Sequence, residues 1–214
     1  MRTDDLIDAL ASDAASASGA TPRRRLALVG GLGALSALLL VMSWLHLRHD
    51  LMQAMSGSMF WMKVGYTGLL GLAGYVAIER LARPAGSGRR GWTLAGALLA
   101  LCLLAGAIQA LTSADPREAL TLVRGHSWNV CSRNIMILSL PMLALGLWAV
   151  RGMAPTRPVL AGAAVGLFAG GVGATVYCLH CPEHTITFVS LWYSLGVVGA
   201  AGLGALVGRW ALRW

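Results

Sequence analysis

Apolar runs of about 20 residues, separated by short arginine-bearing stretches, constrain this chain more than any other feature. A helix rises ~1.5 Å per residue, so each run is long enough to cross the ~30 Å hydrocarbon core of a bilayer. With 57% apolar and 12% charged residues and a mean hydropathy of +0.66, a soluble domain is excluded. The runs fall at residues 26–47, 59–79, 92–112, 134–150, 159–179 and 187–208, the fourth interrupted by Pro141. The expected fold is an all-α integral membrane protein, a six-transmembrane-helix bundle occupying residues 23–214. The first run is too long for a signal peptide, starts far from Met1 and is followed by no small-residue cleavage site, so it is expected to be retained.

The cations between runs orient the bundle. With the N-terminus inside, the inner segments hold Arg2, Arg23 to Arg25, Arg80, Arg83, Arg89, Arg90, Arg151, Arg157, Arg209 and Arg213. The outer segments hold only Arg48, Lys63, Arg117, Arg124 and Arg133. The positive-inside rule then puts both termini in the cytoplasm: a multi-pass protein of a bacterial inner membrane, N-in and C-in. Because the net charge of +8 sits in loops, it marks lipid-facing anchors and not a nucleic-acid surface. Glycines at positions 65, 68, 71 and 74, at 162, 166 and 170, and at 196, 199 and 202 form stripes suited to close helix packing, with a homodimer face as a further use. Lys63 and Glu79 lie near run ends, where long side chains snorkel. No His or carboxylate occupies a run's middle, which disfavours an ion or proton relay.

Residues 1–22 differ from everything after them. Leu6, Ile7 and Leu10 share one helical face, while Asp4, Asp5 and Asp8 occupy the first turn, where the helix dipole favours anions. A helix this short is marginal alone, so this cytoplasmic amphipathic segment is expected to order against a partner, with Asp4, Asp5, Leu6, Ile7 and Leu10 as its contacts. Residues 12–22 read as a linker.

With six spans, all five histidines and three of the four cysteines face one compartment, which in a bacterium is the oxidising periplasm. Cys131 precedes the fourth run's core, and Tyr177-Cys-Leu-His-Cys-Pro-Glu-His184 forms the seam between the fifth and sixth. Several uses compete. Cys131 and Cys181 could be bridged, provided their two helices are neighbours. Cys178-x-x-Cys181 spacing also suits a redox pair. Soft thiolates with imidazoles suit a transiently bound heavy metal, with Cys131, Cys181, His180 and His184 as the metal set and His126 beside it; no resident cofactor is expected. A permanent structural disulfide is the plainer alternative. Glu183, after the helix-ending Pro182, is expected to orient His180 or pair with Arg133. Trp192-Tyr193 reads as part of an interfacial aromatic belt, and Cys102 as an ordinary core residue.

Thr3-Asp-Asp-Leu-Ile-Asp-Ala-Leu10, the six spans, Cys131, His180-Cys-Pro-Glu183, Trp192-Tyr193 and the basic end Gly208-Arg-Trp-Ala-Leu-Arg-Trp214 together resemble the NrsF-type membrane anti-sigma factors, negative regulators of sigma-F. The resemblance covers essentially the whole chain. It implies a non-enzymatic protein that holds an extracytoplasmic-function sigma factor inactive at the inner membrane. Release would follow oxidative or heavy-metal stress such as chromate or cadmium. The family's two key cysteines would fall on Cys131 and Cys181; Cys178 lies outside that motif. Two rival classes remain on the residues alone. A quinone-linked thiol–disulfide oxidoreductase would want two outer cysteine pairs, and only three outer cysteines are present. A metal transporter would want ligands midway through the membrane.

Overall fold

The computed structural model describes Thr3 and residues 22–83, 86–113 and 115–213. The expected partner contacts Asp4, Asp5, Leu6, Ile7 and Leu10 lie outside the described residues. All regular structure among the described residues is helical. Helix α1 (Pro22–Leu40) continues through a π-helical turn at Val41–Leu45. The short α2 (Leu51–Ser56) leads into α3 (Ser58–Leu81) and α4 (Arg89–Leu111). The amphipathic α5 (Pro116–Arg124) precedes α6 (Trp128–Arg151) and α7 (Pro158–Tyr177). The last element, α8, spans Ile186–Ala211 and contains a second π turn at Val189–Tyr193.

Five stretches are long and apolar enough to cross a membrane: Arg24–Leu45, Arg89–Leu111, Pro116–Arg151, Pro158–Tyr177 and Ile186–Ala211. The expected second span, α3, is absent from that group although it is 24 residues long. Its glycines and the polar Lys63, Thr67, Glu79 and Arg80 dilute its hydropathy, because so much of it faces protein. The fourth run also differs from expectation. Its helix begins at Trp128, and Pro141 does not interrupt it. Proline in a membrane helix removes one backbone donor, and packed neighbours compensate.

The bundle is organised around α7, which packs against α8, α3, α6 and, less extensively, α1. Small residues explain why. Gly162, Gly166 and Gly170 face Gly204, Ala200 and Val197 of α8 so closely that an added Cβ would meet backbone oxygen at 2.2 Å for both Gly162 and Gly166. On the opposite face, Gly171 meets Gly71 of α3, where a Cβ would sit 2.3 Å from the Gly71 nitrogen. Helices without a water-driven hydrophobic force between them associate through such close backbone approach. Around this centre, Leu28, Leu32, Leu35 and Leu39 make an exposed stripe on α1, and Leu101, Leu104, Ile108 and Leu111 do so on α4. Their recurrence every three or four residues fits surfaces that face lipid.

Candidate functional site

At one end of the bundle, local chain chemistry brings the thiols together. Cys131 lies in the first turn of α6, where its N–H donates to the Ser127 carbonyl at 2.9 Å. After Tyr177, the chain leaves α7 through a tight turn in which the N–H groups of His180 and Cys181 both donate to the Tyr177 carbonyl at 3.0 Å. Pro182 denies the turn another donor. Thr185 then caps α8, its hydroxyl accepting from the Phe188 N–H at 3.3 Å. Because α6 and α7 are packed neighbours, Cys131 and Cys181 lie within hydrogen-bonding reach of each other. Cys178 joins them, and all three thiols are buried with Tyr177, Phe188 and Tyr193 in one apolar cluster.

The cluster is dry but not neutral. Lys63, only 1% exposed, comes in from α3 and donates from Nζ to the Cys181 carbonyl at 3.2 Å and the Glu183 carbonyl at 2.9 Å. It does not snorkel as expected, because those carbonyls replace the water it gives up. Arg48 donates from Nη1 to the same Cys181 carbonyl at 3.2 Å, and its backbone N–H reaches the Leu179 carbonyl at 3.1 Å. Its guanidinium also grips Asp50 with both carboxylate oxygens engaged, which holds that carboxyl down at about 2. Two cations therefore pin the turn that carries Cys181.

The thiols respond differently. The Cys181 thiol is held below the ordinary thiol range, first because the Cys131 thiol donates to it, then because Lys63, the Tyr193 hydroxyl and the Glu183 N–H favour its anion against the cost of burial. Cys178 is pushed up to about 11 by burial, and its thiol donates to the Ala174 carbonyl at 3.3 Å. Tyr193 was expected in an interfacial belt. Instead it is wholly buried beside Cys178 and Cys181, and its hydroxyl has no hydrogen-bond partner in geometric reach among the described residues. The arrangement sets one thiol with a lowered pKa, Cys181, beside a second thiol, Cys131.

Glu183 corrects a further expectation. It contacts neither His180 nor Arg133. Its Oε1 accepts from the backbone N–H groups of His126 and Ser127 at 2.7 and 3.0 Å and from the Ser127 hydroxyl at 3.1 Å. A buried carboxylate thus closes the N-terminus of α6, where the helix dipole favours negative charge. Gly125 makes room for it with φ +51, a left-handed conformation in which a side chain would also meet the Glu183 carboxylate. Glu183→Ala should cost ~1–3 kcal/mol by orphaning those donors. The check is the thermal midpoint in detergent; Glu183→Gln, still an acceptor, should lose less.

The histidines stand outside the thiol cluster. His180 Nδ1 lies 2.9 Å from the His46 carbonyl, and His184 and His126 are exposed. Among the described residues no group of three or more His, Cys, Asp or Glu side chains is disposed to hold a metal ion, so Cys131, Cys181, His180 and His184 are not assembled as a metal set. What sequence reasoning missed is Lys63, Arg48 and Tyr193. A lysine inside an apolar run was the available signal, since such residues usually face a protein interior.

Residues 10–214 match the family described as NrsF, Negative regulator of sigma F. The chain is similar to the Anti-sigma-F factor NrsF of Caulobacter vibrioides (strain NA1000 / CB15N), 63% identical over 214 residues and the full length of both. It is also similar to the Probable anti-sigma-F factor NrsF of Azospira oryzae (strain ATCC BAA-33 / DSM 13638 / PS), 42% identical over 215 residues and again the full length of both. No solved structure matches it.

Proposed function

This chain belongs to the NrsF family of negative regulators of sigma F, and from that premise we propose that it is a membrane-bound anti-sigma factor whose thiol cluster senses stress. In this reading it is not an enzyme. Its residues 1–22 hold an extracytoplasmic-function sigma factor at the cytoplasmic face of the inner membrane, through Asp4, Asp5, Leu6, Ile7 and Leu10. Six spans, α3 among them, put both termini inside and the thiols at the periplasmic end; the distribution of arginines supports this orientation.

The observation that carries the sensing role is the meeting of Cys131 with an activated Cys181 across the α6–α7 interface. Loss of two electrons and two protons from these thiols to a periplasmic oxidant makes one disulfide and draws the ends of the two helices together. A soft metal ion bridging the same two sulfurs would act alike. Since α7 is packed without slack against α3 and α8, its displacement is transmitted through the bundle. A coupling of ~1–3 kcal/mol changes sigma affinity ~5–150-fold, enough for a switch.

Cys131→Ser and Cys181→Ser should each keep repression at rest and lose release under oxidant, read as transcription from a sigma-dependent promoter. In the wild type, Cys131 and Cys181 are buried when folded, so cells quenched in acid and denatured should show both thiols open to alkylation before stress and not after. Unaltered release in both variants would sink the sensor. Deleting residues 1–12 should abolish repression while the bundle still inserts; sigma factor that still co-purifies with the truncated protein would reject the assigned contacts.

A further inference from the structure

A cavity of about 230 Å³ opens at the cysteine end of the bundle between α2, the first turn of α3 and the α7–α8 turn. Its wall carries Arg48, Asp50, Ala54, Lys63 and His184. Three features of that wall, two on α3 and one on the segment before α2, favour the same kind of occupant. Helix α3, 24 residues long, begins here with no side chain capping its first N–H groups and no acid in its first turn. Lys63 is buried, and its only hydrogen-bond partners among the described residues are neutral carbonyls. Arg48 is buried as well, with N–H groups to spare after Asp50 and the Cys181 carbonyl are served. Asp50, the one acid on the wall, is already committed to that guanidinium.

We infer that this cavity is a binding site for a small oxyanion of the phosphate or sulfate type, held by Lys63, Arg48 and the N-terminus of α3. A buried ammonium without a carboxylate is costly, and a dianion offsets that cost at the position where the helix dipole also favours it. Oxyanions accept several hydrogen bonds at once, matching a fork of guanidinium, ammonium and backbone donors. The group has two sources: an anion free in solution, or the phosphate of a lipid headgroup at the membrane surface. Lys63 also holds the carbonyls of Cys181 and Glu183, so an occupant competes for its protons and alters the turn that carries the thiol. That last consequence rests on the sensing role proposed above; the binding site does not.

The test is equilibrium binding of inorganic sulfate to the full chain in phosphate-free maltoside micelles. Wild type should bind saturably. Lys63→Met should bind at least tenfold more weakly. Ala54→Glu, which places a carboxylate on the cavity wall without touching the buried cations, should do the same, while Ala54→Gln should bind as wild type does. Displacement of sulfate by short-chain phosphatidylglycerol, but not by glycerol phosphate at equal concentration, assigns the site to a headgroup. Equal displacement by both assigns it to a soluble anion. Wild-type protein that binds neither sulfate nor inorganic phosphate, or an Ala54→Glu variant that binds like wild type, overturns the site. The alkylation rate of Cys181 with and without sulfate reports separately on the link to sensing.

Discussion

Gly166→Leu is expected to prevent the bundle from assembling. A Cβ at this position would meet the Ala200 carbonyl oxygen at 2.2 Å and the Ala201 Cα at 2.7 Å. Both are backbone atoms, so no side chain can rotate away, and α7 and α8 would have to separate along their length. Gly162 and Gly204 make the same approach reciprocally, each placing a hypothetical Cβ within 2.3 Å of the other's carbonyl oxygen. Overpacking that side chains can absorb costs ~1–3 kcal/mol. Here nothing absorbs it, and the cost should exceed that range. The control is Gly202→Leu on α8, whose Cβ meets nothing within 4 Å and should be silent. Monodisperse yield and thermal midpoint in detergent give the comparison. Equal midpoints for the two variants would refute the seam as the structural centre.

Lys63→Met should slow alkylation of Cys181 by about tenfold at pH values below its lowered midpoint of about 6, the change that one pKa unit brings there, and by only about twofold at neutral pH. Lys63 stabilises the Cys181 anion by its charge, and Met fills similar space without it. The pH profile of alkylation should therefore move to higher pH, with Cys178→Ser in the background to isolate one thiol. A slowed rate without a moved profile would mean that the lysine only supports the turn. Linkage gives a second readout. A thiol whose titration is depressed in the folded state contributes stability that is complete above the ordinary thiol pKa and is lost as pH falls through the lowered folded value. Cys181→Ser should accordingly flatten the decline in thermal stability on that side of neutrality, while leaving the alkaline end set by other groups.

The part of the site that was legible in the sequence is the part that depends on spacing. Cys178 and Cys181 had to be close, and Pro182 had to end the turn. The proximity of Cys131 to Cys181 could be stated only conditionally, since it needs α6 beside α7, and no periodicity says which helices are neighbours. Glu183 was singled out but given the wrong partners. Its acceptors' work is at His126 and Ser127, on a segment more than fifty residues away. Tyr193 was misplaced because an aromatic residue near a span end fits an interfacial belt and a buried core equally well. In the structure it turns inward to the sulfurs from the π turn of α8.

What the sequence by itself determined is the helical, apolar character of the bundle. Runs of about 20 apolar residues in lipid have to satisfy their backbones as helices, and arginines between them have to choose a side. Even so, α3 was legible as a helix while its hydropathy fell short of the other spans, because protein contacts on the α7 side relax the demand for apolar residues. What only the tertiary structure decided is the chemical state of the thiols. The Cys181 thiol is held below the ordinary thiol range and the Cys178 thiol is pushed above it, though they stand three residues apart. The difference arises from a thiol on α6, an ammonium on α3 and a hydroxyl on α8, brought within reach by packing alone. Electrostatic influence falls off with distance in space, and separation along the chain does not measure that distance.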